Sequence, residues 1–419
     1  RQRGPRSAPA AARRRGSSVA GEAAGAAPLP TGPICAYDRS MQLRSAMIVV
    51  PLALAAACSG NTTPAVDSAL PDAGPPDGRA ADAASDRGQD HGAATDGSAA
   101  DATADAGIPD ARTSFVAVTF NSGTTEKMGH DLPPDDGYTS AHAKLSDTYY
   151  GDGLAWSQAI KATRAWFAKL QPDVVVFQEI FYSGRCPTIP KSAYKDFVCE
   201  TWTKGDPTVA RHVLGPGWQV MCHPGKDDKC AAVRKSFGTF KGCSTDFCLQ
   251  GMTGFTVQGC GNGARVARAV IHLAGGGSLT LVNLHGSSGV GSKERKCRVK
   301  QFEQVFVDLG DGKPGASGKR NLVLGDLNTD PGRVALLDES ARRFNDFVGP
   351  KKSFQFLSDV GPSAKPTYQG LFNIDHVVSD VLKGSCWSAG VTAGHPPVLT
   401  ATYFDHTPLV CTIALPPGP

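Results

Sequence analysis

From residue 113 onward the apolar positions switch between two periods. Ser114–Phe120 (SFVAVTF) predicts a strand. Over Leu154–Leu170, Trp156, Ile160, Phe167 and Leu170 share one side while Lys161, Arg164 and Lys169 take the other, which predicts an amphipathic helix stopped by Pro172. Val174–Phe177 is uninterruptedly apolar, the pattern of a central strand covered on both faces. Ala269–Leu273 and Leu279–Leu284 flank Gly275, Gly276 and Gly277 and predict a hairpin. Val299, Phe302, Phe306 and Leu309 mark a second helix, and Asn321–Leu324, Ile374–Val378 and Leu409–Ile413 mark further strands. Many strands with fewer helices predict a layered α/β sandwich.

Before residue 113 this patterning is lost. Residues 1–40 are rich in Arg, Ala, Gly and Pro, carry too little apolar surface to fold, and are expected to be disordered, with Met41 or Met47 as the true start. MQLRSAM followed by IVVPLALAAA gives residues 41–57 a short basic segment and a short apolar core, as in an export signal. The small residues Ala55–Ala57 ahead of Cys58 are similar to the lipobox of bacterial lipoproteins, which makes Cys58 the expected lipidation site. Residues 58–112 repeat Asp among Ala, Gly and Pro and lack aromatic side chains, so they are expected to be a disordered tether to a domain over 113–419. The implied location is outside the cytoplasm: lipid-anchored at the bacterial outer membrane or cell surface, or secreted, with the membrane met only through the anchor.

Charge and cysteine usage narrow the class. The 419-residue chain has a formal net charge of +4, but an acidic tether conceals a body over 113–419 with 32 basic and 27 acidic residues. That balance suits an anionic substrate without naming one. No apolar run reaches the roughly 18 residues of a spanning helix, which excludes a polytopic membrane protein. Ten of the twelve Cys fall between Cys186 and Cys411, an even number in an exported chain, so disulfides of undetermined connectivity are expected. Seven of them crowd into 186–260, which reads as a loop-rich stretch held by staples. Cys243 and Cys248 also admit a reading as half a zinc site.

Polar residues gather at the ends of the predicted strands. Asn121 follows FVAVTF, Gln178 and Glu179 follow VVVF, His285 follows LTLVNL, and Asp326 and Asn328 follow NLVLG. Asp375 and His376 sit in NIDHVV, while Asp405 and His406 precede TPLVCTI. Ligands of open sheets bind beyond strand ends. Glu179 and Asp405, with Asn121 as a neutral third, are hard oxygen donors suited to Mg²⁺, with Mn²⁺ or Ca²⁺ as alternatives. His285 and His406 can donate to a phosphoryl oxygen or move a proton, Asp326 can activate water, Asn328 can hold an oxygen, and Asp375 can orient a His. Together they point to metal-assisted attack of water on a phosphoester. Arg268, leading into a strand near these groups, is a candidate phosphate ligand. GSSGVGSK (286–293) is no phosphate loop, because Ser292 stands where Lys is needed.

The series FN (Phe120–Asn121), QE (Gln178–Glu179), NLHGSS (Asn283–Ser288), GDLN (Gly325–Asn328), IDH (Ile374–His376) and DHTPL (Asp405–Leu409) resembles the endonuclease/exonuclease/phosphatase superfamily in order and spacing. The resemblance implies a four-layer α/β/β/α sandwich with two central, largely antiparallel sheets. It also implies metal binding by Glu179 supported by Asn121 and Asp405, His285 and His406 beside the scissile phosphate, Asp326 on the water, Asn328 on the phosphate, and Asp375 on a His. Phe404 stands where the family usually has Ser, and His376 where it often has an aromatic residue. The expected function is a metal-dependent phosphodiesterase. A nuclease reading stands first because no membrane-inserting aromatic hairpin stands out, with a sphingomyelinase-like phospholipid phosphodiesterase, or a phosphomonoesterase, as the alternative. A surface binding module with a decayed site is the non-enzymatic rival. Nothing in the sequence points to an obligate protein partner.

Overall fold

The computed structural model describes residues 112–125, 130–131 and 135–416. The expected leader, Cys58 and the tether up to residue 111 lie outside the described residues. Among the described residues fourteen strands are formed: β1 (Ser114–Asn121), β2 (Val174–Gln178), β3 (Trp218–His223), β4 (Lys226–Arg234), β5 (Gly238–Phe240), β6 (Phe247–Cys248), β7 (Thr253–Gly254), β8 (Val266–Leu273), β9 (Ser278–His285), β10 (Asn321–Asp326), β11 (Gln355–Phe356), β12 (Asp375–Ser379), β13 (Lys383–Ser388) and β14 (Leu409–Ala414). The α-helices are α1 (Ser140–Leu145), α2 (Ser157–Leu170), α3 (Val209–Leu214), α4 (Ser292–Phe306) and α5 (Glu339–Phe347).

The strands make two sheets, ordered β13-β14-β1-β2-β4-β3-β6 and β11-β12-β10-β9-β8-β5, with β7 also on β8. Strand alternation turns them into a four-layer α/β/β/α sandwich. Phe115 and Ala117 of β1, and Val174 and Val176 of β2, pack with Leu279, Leu281, Leu322 and Leu324 of the second sheet. Their neighbours Val118, Phe120, Val175 and Phe177 face outward onto Ile160 and Phe167 of α2. Val282, Leu284 and Val323 face the other way, onto Phe302, Val305 and Phe344 of α4 and α5. Three apolar cores therefore separate four layers, because successive side chains of a strand point to opposite faces. Most pairings are antiparallel, but β1 with β2, β9 with β10 and β3 with β6 are parallel.

Two departures from the sequence expectations bear on the first sheet and its helix. The helix expected from Leu154 is α2 and begins only at Ser157, because Trp156 is extended and bridges to Phe197. The stretch over 186–260 is not merely looped: β3 and β4 form a hairpin inside the first sheet. Burial on both faces removes the alternation that would have announced it.

All ten of these cysteines are paired, as Cys186–Cys199, Cys222–Cys230, Cys243–Cys248, Cys260–Cys297 and Cys386–Cys411. The Cys243–Cys248 bond excludes the zinc reading. Two of the bridges join residues that face each other across antiparallel strands, Cys222 with Cys230 and Cys386 with Cys411.

Candidate active site

The two parallel pairs at the sheet centres bring the polar strand ends together. On β1 and β2, Asn121 is level with Gln178, and Glu179 follows at once. On β9 and β10, Asp326 is level with His285, and across β12 it is level with Asp375. The sheets are joined beneath these ends by Gln178 Nε2, which donates to Asn283 Oδ1 at 2.7 Å, while Asn283 Nδ2 donates to the Phe177 carbonyl at 3.2 Å. A buried and fully answered polar link of this kind fixes the register of the two sheets.

The chain turns sharply where it leaves β2 and β10. Glu179 (φ 57°) and Asn328 (φ 52°) both adopt the left-handed conformation that non-glycine residues seldom take. Gly325 is required inside GDLN: its φ is 150°, and a Cβ there would sit 1.8 Å from the Leu284 carbonyl oxygen.

Asp326 is the hub. Its Oδ1 accepts from the Asn328 backbone N–H at 2.6 Å, and its Oδ2 accepts from Asn328 Nδ2 at 2.9 Å and Asn121 Nδ2 at 3.1 Å. Asn328 Nδ2 also donates to the Gly286 carbonyl at 3.1 Å. Both its amide hydrogens are thus engaged, and Asn328 holds Asp326 and the loop after His285 in place. His406 Nδ1 donates to Asp375 Oδ2 at 2.7 Å, with both side chains buried. His285 Nε2 lies 3.5 Å from Glu179 Oε1 and 3.6 Å from Asp326 Oδ2, and neither ring nitrogen of His285 has a hydrogen-bond partner.

Burial and charge divide the titrating groups into distinct states. Burial opposes a charge on His406, yet Asp375 and Asp326 overcome it and push its pKa up to about 10. His406 is therefore an imidazolium at neutral pH. Its Nε2 stands 3.3 Å from Asn121 Nδ2, and two donors do not bond, so the Nε2–H stays available. His285 is driven the opposite way: burial first, then the positive charges of Lys229 and Arg265, hold it well below its usual pKa and neutral. Burial raises Glu179, Asp326 and Asp405 each to about 7, against the pull of His406.

A divalent cation fits this donor set. Gly123 leaves a cradle: a Cβ there would lie 1.9 Å from Glu179 Oε2 and 3.1 Å from Asn121 Oδ1, so both oxygens border the same small space. Asp405 Oδ1 is buried without a partner. Desolvated carboxylates and an amide oxygen are the hard donors that Mg²⁺ takes together with water. Among the described residues no group of three or more His, Cys, Asp or Glu forms a ready-made metal cage. The donors that would hold a cation here are the carboxylates of Glu179 and Asp405 and the amide oxygen of Asn121.

The structure thus brings together Asn121, Glu179, His285, Asp326, Asn328, Asp375, Asp405 and His406. It does not bring in Arg268, whose guanidinium is taken by the loop after α4: it pairs with Asp311 and donates to the Pro314 carbonyl at 3.0 Å. The neighbouring Arg265 is the closer one, donating to the Gly286 carbonyl at 3.2 Å. His376 is structural, with its ring nitrogens 3.0 Å from Ser358 Oγ and 2.9 Å from the Asn373 carbonyl. Sequence reasoning missed Lys229, a buried cation 2.5 Å from Asp228 whose charge acts on Glu179 and His285. Its signal was KDDK, a charged run inside a cysteine-rich stretch taken for loop. Tyr368, whose ring centre lies 4.7 Å from that of His406, gave no signal.

No protein-family model matches this chain, and no curated protein matches it. Solved structures are similar to it at low identity. The endonuclease/exonuclease/phosphatase from Beutenbergia cavernae is 14% identical, with 73% of this chain and 72% of that one covered and a TM-score of 0.44. Humanized D. rerio TDP2 is 14% identical, with 73% and 100% covered and a TM-score of 0.41. The human Nocturnin catalytic domain is 14% identical, with 72% and 93% covered and a TM-score of 0.39. Similarity at this level assigns no chemistry to this chain.

Proposed function

We propose that the domain over 113–419 hydrolyses phosphodiester bonds with a divalent cation, Mg²⁺ first among the candidates. The observation that carries this reading is the convergence at the strand ends of His406, held as an imidazolium at neutral pH, an unpartnered His285 held neutral by burial, the buried carboxylate of Asp326, and Glu179 beside the Gly123 cradle. Glu179, Asn121 and Asp405 would hold the cation, which when bound would neutralise phosphate charge and polarise the phosphorus centre. Asp375 keeps His406 protonated and aimed, and its Nε2–H donates to a phosphoryl oxygen as charge grows there. His285 offers a neutral ring N–H to a second oxygen. Asp326, poised near neutral pH, takes the proton of the attacking water. Asn121 and Asn328 fix its carboxylate for that transfer.

The substrates in view are nucleic acid and phospholipid. The enzyme works outside the cytoplasm, after export directed by residues 41–57, either anchored at Cys58 or secreted. The five disulfides support that placement, because such bonds persist in oxidising compartments. Cleavage of bis(p-nitrophenyl) phosphate by purified protein, with and without chelator, is the direct test. Activity is expected to need the cation and to vanish in Glu179→Ala and in His406→Ala. Turnover that survives both changes refutes the site. A wild type inert on diesters, monoesters and phospholipids favours the binding-module reading.

A further inference from the structure

Beside the catalytic groups lies a cavity of about 410 Å³ lined in part by Asn328, Tyr368, Val290, Leu337 and Phe372. Asn328 holds Asp326 and Tyr368 packs on His406, so two of the cavity's lining residues touch the proposed phosphoryl site. Its mouth is unusual. Three loops meet there and leave Val290, Leu336, Leu337, Leu371 and Phe372 exposed, with Val290 at 88% and Leu336 at 91%. Val290, Leu337 and Phe372 line the cavity and Leu336 and Leu371 precede the latter two in the chain, so five of the ten exposed large apolar residues among the described ones lie on or next to its lining. The loops are braced rather than loose: Arg333 Nη1 donates to the Leu371 carbonyl at 3.0 Å, and Arg342 Nη1 donates to the Leu336 carbonyl at 3.1 Å. Arg295 donates to the Val290 carbonyl at 2.6 Å. Neither Arg295 nor Arg342 forms an ion pair with a carboxylate among the described residues.

Water-exposed aliphatic side chains concentrated at one opening favour a partner that removes them from water. A nucleic-acid backbone could use the cations of α4, such as Lys293, Lys296 and Lys300, but would leave Leu336 and Leu371 solvated. A bilayer answers both features, with acyl chains for the apolar collar and lipid phosphates for the guanidiniums behind it. Resting on the phosphodiesterase reading above, we infer that the collar seats the enzyme on a phospholipid surface and that its substrate is the phosphodiester headgroup of a membrane lipid, drawn up into the adjoining cavity.

The test uses vesicles of phosphatidylcholine, phosphatidylglycerol and sphingomyelin in equal parts, with the soluble diester bis(p-nitrophenyl) phosphate in parallel. The variant is Leu336→Asp with Leu371→Asp, two exposed positions that do not line the cavity. Wild type is expected to sediment with the vesicles and release phosphorylated headgroups. The double variant is expected to lose about tenfold or more of vesicle binding and of lipid cleavage, while its turnover of the soluble diester falls less than about threefold. Wild type that cleaves the soluble diester but neither binds nor cleaves vesicles overturns the inference and leaves the catalytic reading intact. Equal loss of DNA cleavage in the double variant also overturns it, by assigning the collar to nucleic acid. Vesicle binding that depends on the collar, with no diester of any kind cleaved, sinks the catalytic reading and with it the assignment of a lipid substrate.

Discussion

Replacing Asp375 by Asn tests the electrostatic core of the site. The change keeps the shape of the side chain facing His406 and removes its charge. In the wild type His406 is pushed from 6.5 to about 10, a net gain of roughly 5 kcal/mol for the imidazolium at 1.36 kcal/mol per unit. Asp375, at 2.7 Å, supplies the largest share, while Asp326, at 3.8 Å, and Asp405 supply the rest. Asp375 also raises Asp326 and Asp405, so its loss returns part of the energy. A net destabilisation of about 2–3 kcal/mol is expected, at the lower edge of what breaking a buried pair costs. The sign with pH follows from the raised pKa. The contribution is full below the unfolded value of 6.5 and is lost as pH rises through about 10. Denaturant melts followed by tryptophan fluorescence should therefore show the full penalty at pH 6 and a much smaller one at pH 10. On the soluble diester, kcat should fall roughly a hundredfold or more, as in other carboxylate–His pairs that lose their charge. Its alkaline limb should also move to lower pH. A penalty equal at both pH values, together with an unmoved alkaline limb, would refute the assignment of the His406 charge to Asp375.

Burial holds Glu179 at about 7 with its side chain 29% exposed, so the folded protein bears a cost for its ionisation that grows as pH rises from 4.5 and is full above about 7. After discounting for solvent, Glu179→Gln in chelator at pH 8 should stabilise the fold by about 1–3 kcal/mol, abolish turnover, and remove the rise in Tm that millimolar Mg²⁺ gives the wild type. A variant whose Tm still climbs with Mg²⁺ would place the cation elsewhere. His223 is held down to about 4, by burial above all, so its contribution is present above 6.5 and is lost as pH falls from 6.5 to about 4. His223→Gln should flatten the acid limb of the stability profile by about 3 kcal/mol, and unchanged melts between pH 7 and pH 4 would contradict this. Removing the Cys260–Cys297 bond, which closes a separation of 37 residues, should cost about 3–4 kcal/mol in denaturant melts of the Cys260→Ala, Cys297→Ala protein. A loss below about 1 kcal/mol would show that the unfolded chain gains little freedom there.

The chain reveals its strands wherever one run is long and apolar. SFVAVTF and VVVF lie in β1 and β2, and NLVL lies in β10. It conceals β3 and β4, where burial on both faces erases alternation and a charged KDDK run imitates a turn. The candidate polar residues were visible because they follow those strands directly. What each does was not visible. Asp375 was open to either His until the register of β10 with β12 set it against His406. Asn328 proved to be a brace for Asp326, and Arg268 was drawn away by Asp311.

The amino-acid order by itself determined the periodicities, the reactive groups at strand ends and an even set of cysteines, because these depend on neighbours a few residues apart. Tertiary structure alone decided which cysteines meet, which imidazole carries a proton, how Lys229 and Arg265 act on the cleft, and where exposed aliphatic side chains from three loops form one collar. Those outcomes depend on distance and dielectric between segments up to hundreds of residues apart, and folding sets both.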